Sequence, residues 1–173
     1  MEHPIKRRRK SAVLFLDLDG VLHSVEAPEE EFFNPEALLQ LLRVVKAADA
    51  RVVLSSSWRL KPQQRQQATE ALGAFDELLR PSDATKDLRD REAEIQTWLQ
   101  ENKAQMDRVR KIELEVWPKK DWLVLDDLPL DLPLEHLVRT DPFLGLTAGK
   151  ADEAIEKLRS MRQSLPVPRR SQN

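Results

Sequence analysis

The 173-residue chain contains no cysteine and no tyrosine, and only 5% of its residues are aromatic. Without cysteine it can form no disulfide, no thiolate metal site and no cysteine nucleophile, which suits the cytoplasmic location that we expect. The scarcity of aromatic residues argues against a surface on which nucleic-acid bases stack. No apolar run approaches the roughly 18 residues of a membrane span, so we expect no membrane partner.

The chain also lacks a strong charge of either sign, since 28 basic and 30 acidic residues give a net charge of −2. Proteins that rely on contacts to nucleic-acid phosphates are more often basic, so only a local patch could serve that purpose. Lys6 to Lys10 form such a patch, within an amino-terminal arm (residues 1–11) that we expect to be disordered. This arm predicts at most a weak nucleic-acid contact. Asp17 and Asp19 interrupt the apolar run behind it too early for a signal peptide.

The remaining composition, 40% hydrophobic and 34% charged residues, is ordinary for a soluble protein. It predicts one domain over residues 12–162 and a disordered tail over residues 163–173. Hydrophobic patterns predict strands over 12–16, 51–54, 121–125 and 136–139, and helices over 35–49, 61–72, 91–102 and a final segment after Thr147. This alternation predicts an α/β fold, a doubly wound, Rossmann-like parallel sheet with helices on both faces.

Two segments give weaker patterns. Residues 74–90 are predicted to be irregular, with Gly73 ending the helix before them and a turn at residues 81–83. Residues 103–120 show no clear pattern and are rich in charge. Neither segment, nor the stretch 21–33 after the first strand, resembles a folded insert. We therefore expect an open site, with a small lid from residues 60–90 as the alternative.

Polar side chains follow three of the predicted strands. Asp17 and Asp19 end the first strand, and because side chains two residues apart on an extended chain share a face, both carboxylates can face one cleft. Gly20 then permits a sharp turn. The second strand ends in Ser55-Ser56-Ser57 and the third in Asp126-Asp127. In parallel α/β sheets, ligands bind beyond the carboxyl ends of the strands, where all these side chains are predicted to meet.

Carboxylates gathered at one sheet edge repel each other unless a cation lies among them, and hard oxygen ligands favour Mg²⁺. With Mg²⁺ and a hydroxyl cluster, the expected ligand is phosphate. Ser56 and backbone amides would bind its oxygens, a basic residue would offset its charge and one aspartate would attack phosphorus. Paired carboxylates also serve in glycosidases, but that chemistry does not explain the serine cluster.

These motifs resemble those of the haloacid dehalogenase (HAD) superfamily. Asp17-Leu18-Asp19-Gly20-Val21-Leu22, Ser55-Ser56-Ser57 and Val124-Leu125-Asp126-Asp127 are similar to its first, second and fourth motifs. Trp58-Arg59, Arg91-Glu92-Ala93-Glu94-Ile95 and Leu144-Gly145-Leu146-Thr147 resemble a subgroup of small, capless domains that is also found fused to nucleic-acid repair modules. The resemblance covers roughly residues 12 to 160.

The resemblance implies specific roles. Asp17 corresponds to the nucleophile that forms an aspartyl-phosphate and Asp19 to the general acid and base. The implied metal ligands are Asp17, Asp126, Asp127 and Asp19, the last through its backbone carbonyl. For the phosphate-binding hydroxyl we favour Ser56, with Ser55 and Ser57 as alternatives. For the third-motif cation we choose Arg91, with Lys86 and Lys119 as alternatives.

The sequence therefore predicts a Mg²⁺-dependent phosphatase that acts on a phosphorylated small molecule or a nucleic-acid end. The alternative is an accessory module of the same fold that binds phosphate or nucleic acid without turnover. Trp58 is interpreted as either a core residue or a site residue. Arg59 is interpreted as either a phosphate clamp or the partner of a surface acid. His23 is interpreted as a flap residue without a role, with a contact to substrate as the alternative.

Overall fold

The structure is a computed structural model that describes residues 12–102 and 121–163. Within these residues five strands form one sheet: β1 (Ala12–Leu16), β2 (Ala50–Leu54), β3 (Asp83–Ala84), β4 (Trp122–Asp126) and β5 (Leu137–Arg139). Their order is β3-β2-β1-β4-β5, and every pairing is parallel. The α-helices described are α1 (Pro35–Ala48), α2 (Pro62–Phe75), α3 (Arg91–Glu101) and α4 (Ala148–Gln163). The predicted α/β class with a parallel sheet is confirmed.

The central strand β1 is buried along its whole length. Its side chains alternate between two hydrophobic clusters, as the pleat of a strand requires. Leu14 and Leu16 belong to the cluster that contains residues of α1, α2 and α4, whereas Val13 and Phe15 belong to the cluster that contains residues of α3. Helices thus cover both faces of the sheet, and the apolar strand sequence follows from burial on both sides.

The helix α1 begins where the sequence predicts a cap. The side chain of Asn34 accepts hydrogen bonds from the backbone N–H groups of Glu36 and Ala37, and Pro35 occupies the first helical position. Asp49 ends the helix in a left-handed conformation with φ of 49°. The buried stripe of this helix packs against the sheet.

Gly73 does not end α2, which continues to Phe75. A Cβ atom at this position would lie 2.3 Å from Nη2 of Arg80, so the glycine leaves room for that side chain. The predicted end of the helix at Leu72 was therefore wrong. The glycine makes room for a neighbouring side chain and does not end the helix. Ala68 and Leu72 lie in the core cluster, so α2 is a layer of the fold and not the lid that residues 60–90 were considered to form.

The prediction that residues 74–90 are irregular was wrong at Asp83 and Ala84, which form β3 and pair with Val53 and Leu54. A two-residue strand is too short to produce a hydrophobic period, so only the neighbouring strand reveals it. A 3-10 turn, Glu77–Leu79, also lies in this segment.

Several predictions concern residues outside 12–102 and 121–163: the basic arm (1–11), the whole segment 103–120 with Lys119, and the tail from residue 164. Gln163, predicted to begin that tail, is the last residue of α4. Within the part of the chain that the structure describes, no helix combines the length and apolar character needed to cross a membrane.

Candidate active site

The sheet register brings the polar strand ends together. The N–H of Asp17 donates to the carbonyl of Leu125 at 3.0 Å, and the N–H of Ser55 donates to the carbonyl of Leu16 at 3.0 Å. The ladders therefore continue past the end of β1, and Asp17 lies between Ser55 on one side and Asp126 on the other. The predicted meeting of these residues at the carboxyl edge follows from this register.

Three carboxylates form a cluster at this edge. Oxygen atoms of Asp17, Asp126 and Asp127 all lie within 4.8 Å of one another. Asp17 and Asp126 are buried, and Asp127 is half-buried. Three hard oxygen donors at this spacing fit a Mg²⁺ ion, which prefers carboxylate and water ligands. These residues would hold the metal.

The backbone at Gly20 makes room for this cluster. Its φ of 75° lies in the left-handed region, and a Cβ atom there would lie 2.5 Å from Oδ2 of Asp127. Both the conformation and the close approach require glycine. The residue after the Asp17-Leu18-Asp19 segment therefore sets the position of a carboxylate from another strand.

Burial destabilises the ionised forms of the clustered carboxylates, so a nearby positive charge would stabilise them. Burial, followed by the charge of Asp126, raises the pKa of Asp17 above its ordinary value, and burial also raises the pKa of Asp126. The nearby Arg91 guanidinium acts in the opposite direction on both. A further cation would complete the neutralisation of these carboxylates.

Arg91 supplies the cation that the structure places at this site. Asp90 caps α3 by accepting from the N–H of Ala93 at 3.1 Å, which puts Arg91 at the first helical position. Nη1 of Arg91 lies 2.6 Å from Oδ2 of Asp126 and 3.6 Å from Oδ1 of Asp17. The alternative Lys86 is exposed and binds Glu101 instead.

Glu94 forms ion pairs with two arginines, a role that the sequence analysis did not predict. Its carboxylate is buried and lies 2.7 Å from Nη2 of Arg59 and 3.7 Å from Nε of Arg91. The spacing of Arg91 and Glu94, three residues apart on a helix, was a usable signal. Glu94 positions the cation that faces the carboxylate cluster.

Arg59 has neither of the two roles considered for it. Its guanidinium is buried and donates to the backbone carbonyls of Ser55, Ser56, Thr85 and Lys86. Its carboxylate partner, Glu94, is buried and not on the surface. Arg59 therefore links the ends of β2 and β3 to α3. A phosphate clamp would instead need a guanidinium that faces solvent.

The three serines have different surroundings. Ser57 is exposed. Oγ of Ser56 is buried and accepts from the N–H of Trp58 at 3.3 Å, which leaves the hydroxyl proton available to a ligand. Oγ of Ser55 is buried and has no hydrogen-bond partner among the described residues. Two buried hydroxyls, that of Ser55 level with Asp17 and that of Ser56 one residue further along, can thus donate to an anion.

Asp19 lies apart from the three-carboxylate cluster. Oδ1 of Asp19 is 2.8 Å from Nε2 of His23, and the indole N–H of Trp58 donates to both carboxylate oxygens, at 3.3 and 3.1 Å. The hydrogen bond from His23 lowers the pKa of Asp19 despite partial burial, which acts the other way. Because its carboxylate binds His23 and Trp58, Asp19 could contact a metal only through its backbone carbonyl.

The segment after β1, residues 21–33, is a flap that contributes His23 to the surroundings of Asp19. It has no regular structure except a 3-10 turn at Glu29–Glu31. The interpretation of His23 as a flap residue without a role is wrong, because its buried ring binds Asp19 and stacks on Phe32 at 4.5 Å. A cleft of about 360 Å³ lies between this flap and residues 143–148, with His23 in its wall.

A parallel sheet with an Asp-x-Asp-Gly segment after its central strand, and an acidic pair after the neighbouring strand, defines a haloacid dehalogenase-like domain. The chain belongs to the family described as "HAD domain in Swiss Army Knife RNA repair proteins", whose model matches residues 13–151. The predicted resemblance is confirmed. No curated protein and no solved structure shows significant similarity to the chain.

Proposed function

We propose that the protein is a Mg²⁺-dependent phosphohydrolase that cleaves phosphate monoesters through an aspartyl-phosphate. The observation that carries this proposal is the cluster of Asp17, Asp126 and Asp127, with oxygens within 4.8 Å of one another and Arg91 against it. A buried nucleophile beside a metal site and a fixed cation suits phosphoryl transfer, in which catalysis rests on positioning and charge stabilisation.

The reaction would proceed in two displacements. An oxygen of Asp17 attacks phosphorus, the ester P–O bond breaks, and the leaving oxygen takes a proton from Asp19, so the reactive form of the enzyme is the fraction in which Asp19 is protonated. In the second step, Asp19 takes a proton from water while that water attacks phosphorus. The P–O bond to Asp17 then breaks, inorganic phosphate leaves, and both aspartates return to their starting states.

The surrounding groups bind the phosphate. Bound Mg²⁺ would supply charge neutralisation between the carboxylates and the phosphate oxygens. Arg91 offsets the remaining negative charge, and the Ser56 hydroxyl donates to a phosphate oxygen. We also propose that Glu94 keeps the Arg91 guanidinium directed at the site.

For the substrate, we propose a terminal phosphate on a nucleotide or polynucleotide. The family description names RNA repair proteins. The flap is short and α2 is packed into the core, which supports an open site that would admit a large substrate. Lys6 to Lys10 would add a weak, salt-dependent contact to the nucleic-acid backbone.

The test is a substrate panel of p-nitrophenyl phosphate, nucleotides, sugar phosphates and oligonucleotides with terminal phosphates, with and without Mg²⁺. We expect Mg²⁺-dependent release of phosphate, with the oligonucleotides preferred, and its loss in Asp17→Asn. Salt-dependent oligonucleotide binding without turnover of any substrate would instead identify an accessory binding module and overturn the proposal.

A further inference from the structure

We propose that His23 and Trp58 are positioning residues that hold Asp19 in the one orientation in which its Oδ2 atom can pass a proton to the leaving group. This inference rests on the proposed function. It assigns a task to two side chains from different parts of the chain, the flap after β1 and the turn after β2.

The contacts of His23 fix which ring nitrogen carries the proton. The backbone N–H of Phe33 donates to Nδ1 of His23 at 3.3 Å, so Nδ1 is an acceptor and the ring proton lies on Nε2. Nε2 faces Oδ1 of Asp19 at 2.8 Å. The ring is 3% exposed and stacks on Phe32, so it cannot swing away from this contact.

Trp58 completes the restraint from the opposite element. Its indole N–H is shared between Oδ1 and Oδ2 of Asp19. The ring packs against Phe32 at 5.4 Å and Phe33 at 5.5 Å, both edge-on. Two donors on rigid, packed rings therefore determine where the carboxylate plane lies.

The arrangement leaves the two oxygens of Asp19 with different tasks. Oδ1 receives both donors, while Oδ2 receives only the shared indole N–H and keeps lone-pair positions that can face the leaving group. The Asp19 side chain is 44% exposed, so without these donors nothing that the structure shows holds its carboxylate. A proton-transfer group that is misplaced by about 1 Å can lose about a hundredfold in rate.

The test compares two phosphate monoesters whose leaving groups differ. p-Nitrophenyl phosphate has a good leaving group that needs little protonation, whereas glycerol 2-phosphate has an alkoxide leaving group that depends on general-acid catalysis. In His23→Leu and in Trp58→Phe we expect kcat/KM for glycerol 2-phosphate to fall about a hundredfold, and that for p-nitrophenyl phosphate less than about tenfold. Asp19→Asn should show the same pattern, more strongly.

Rescue and control variants separate positioning from packing. His23→Gln places an amide N–H near the position of Nε2 and should recover most of the activity on glycerol 2-phosphate. The matched control is His136→Gln. That histidine is also buried and stacked on a tryptophan, but it binds the carbonyl of Trp122, away from Asp19. It should leave the ratio of the two activities unchanged.

The possible outcomes have distinct meanings. An equal loss on both substrates in His23→Leu and Trp58→Phe, or no recovery in His23→Gln, would overturn the positioning role while Asp17→Asn still lacked activity. Equal activity of the wild type and Asp17→Asn would overturn the phosphatase proposal and the positioning role with it. If circular dichroism shows that His23→Leu does not fold, Trp58→Phe, which keeps an aromatic ring, decides alone.

Discussion

Arg91 donates to Oδ2 of Asp126 at 2.6 Å, while the other oxygen of Asp126 accepts from the N–H of Leu128 at 3.0 Å. A Mg²⁺ ion held by the cluster must share this carboxylate with the guanidinium, and the two positive charges repel each other. We therefore expect Arg91→Gln to bind Mg²⁺ about tenfold more tightly in the absence of phosphate.

The same substitution should weaken the affinity for inorganic phosphate when Mg²⁺ is present. Isothermal titration calorimetry measures both affinities. Lys86→Gln is the matched control, because this exposed lysine binds Glu101 and should change neither value. Weaker Mg²⁺ binding by Arg91→Gln would contradict the competition described above.

Asp17→Asn should remove turnover and stabilise the metal-free protein. Because the pKa of Asp17 is raised, the folded state binds more protons than the unfolded state above the ordinary carboxyl pKa, and stability falls as pH rises towards the folded pKa. Asparagine removes this penalty, so we expect the free energy of unfolding at pH 7 to rise by about 1 kcal/mol. Urea unfolding from pH 5 to 8 measures it, and a less stable variant at pH 7 would contradict the assignment.

Gly20→Ala should disturb the metal site more than the fold. The added Cβ would lie 2.5 Å from Oδ2 of Asp127, so that carboxylate must move out of the cluster. We expect a marked loss of Mg²⁺ affinity and about 1 kcal/mol of lost stability from the left-handed backbone. Gly149→Ala is the control, since the nearest atom there is Oγ1 of Thr147 at 4.0 Å. Equal Mg²⁺ affinities of Gly20→Ala and the wild type would refute this coupling.

Replacing only one member of the buried pair Arg59 and Glu94 should strongly lower the free energy of unfolding. Glu94→Gln leaves the Arg59 guanidinium without its carboxylate, and Arg59→Met leaves several backbone carbonyls without their donor and Glu94 without its nearest cation. Each single variant should lose about 3–5 kcal/mol, and the double variant less than the sum. Urea unfolding of the four proteins forms the cycle. Single losses below about 1 kcal/mol would show that the pair does not join β2 to α3.

His136 should make stability depend on pH near neutrality. Burial lowers the pKa of His136 below 6.5, so the unfolded state binds more protons within the window between the folded and unfolded values. Its contribution to stability is present above pH 6.5 and is lost as the pH falls through the lowered pKa. Thermal melts from pH 5 to 7.5 should show this loss, and His136→Gln should flatten it. The melts should be made in the Asp17→Asn variant, because Asp17 has the opposite effect and lowers stability as the pH rises.

The sequence alone placed the candidate site because the signals that indicate it are local. Asp17 and Asp19 end a fully apolar strand, and Asp126 and Asp127 end another, so strand polarity is enough to place them at one edge. The alternation of strands and helices likewise determined the parallel sheet. The metal role proposed for Asp17, Asp126 and Asp127 therefore has a basis in the sequence.

Short or long-range features were decided only by the tertiary structure. β3 has two residues and no period of its own, so its pairing with β2 defines it. Gly73 has the appearance of a helix end, but its absent side chain makes room for Arg80.

The same holds for the groups that surround Asp19 and Arg91. His23 and Trp58 are 35 positions apart in the sequence. The histidine lies in the flap, whose sequence has neither helical nor strand periodicity. Their meeting at Asp19 depends on how that flap folds over the turn after β2. The sequence thus determined which residues end the strands, because strand polarity is local. Only the tertiary structure decided which side chains hold those residues in place, because these contacts join segments that no local pattern connects.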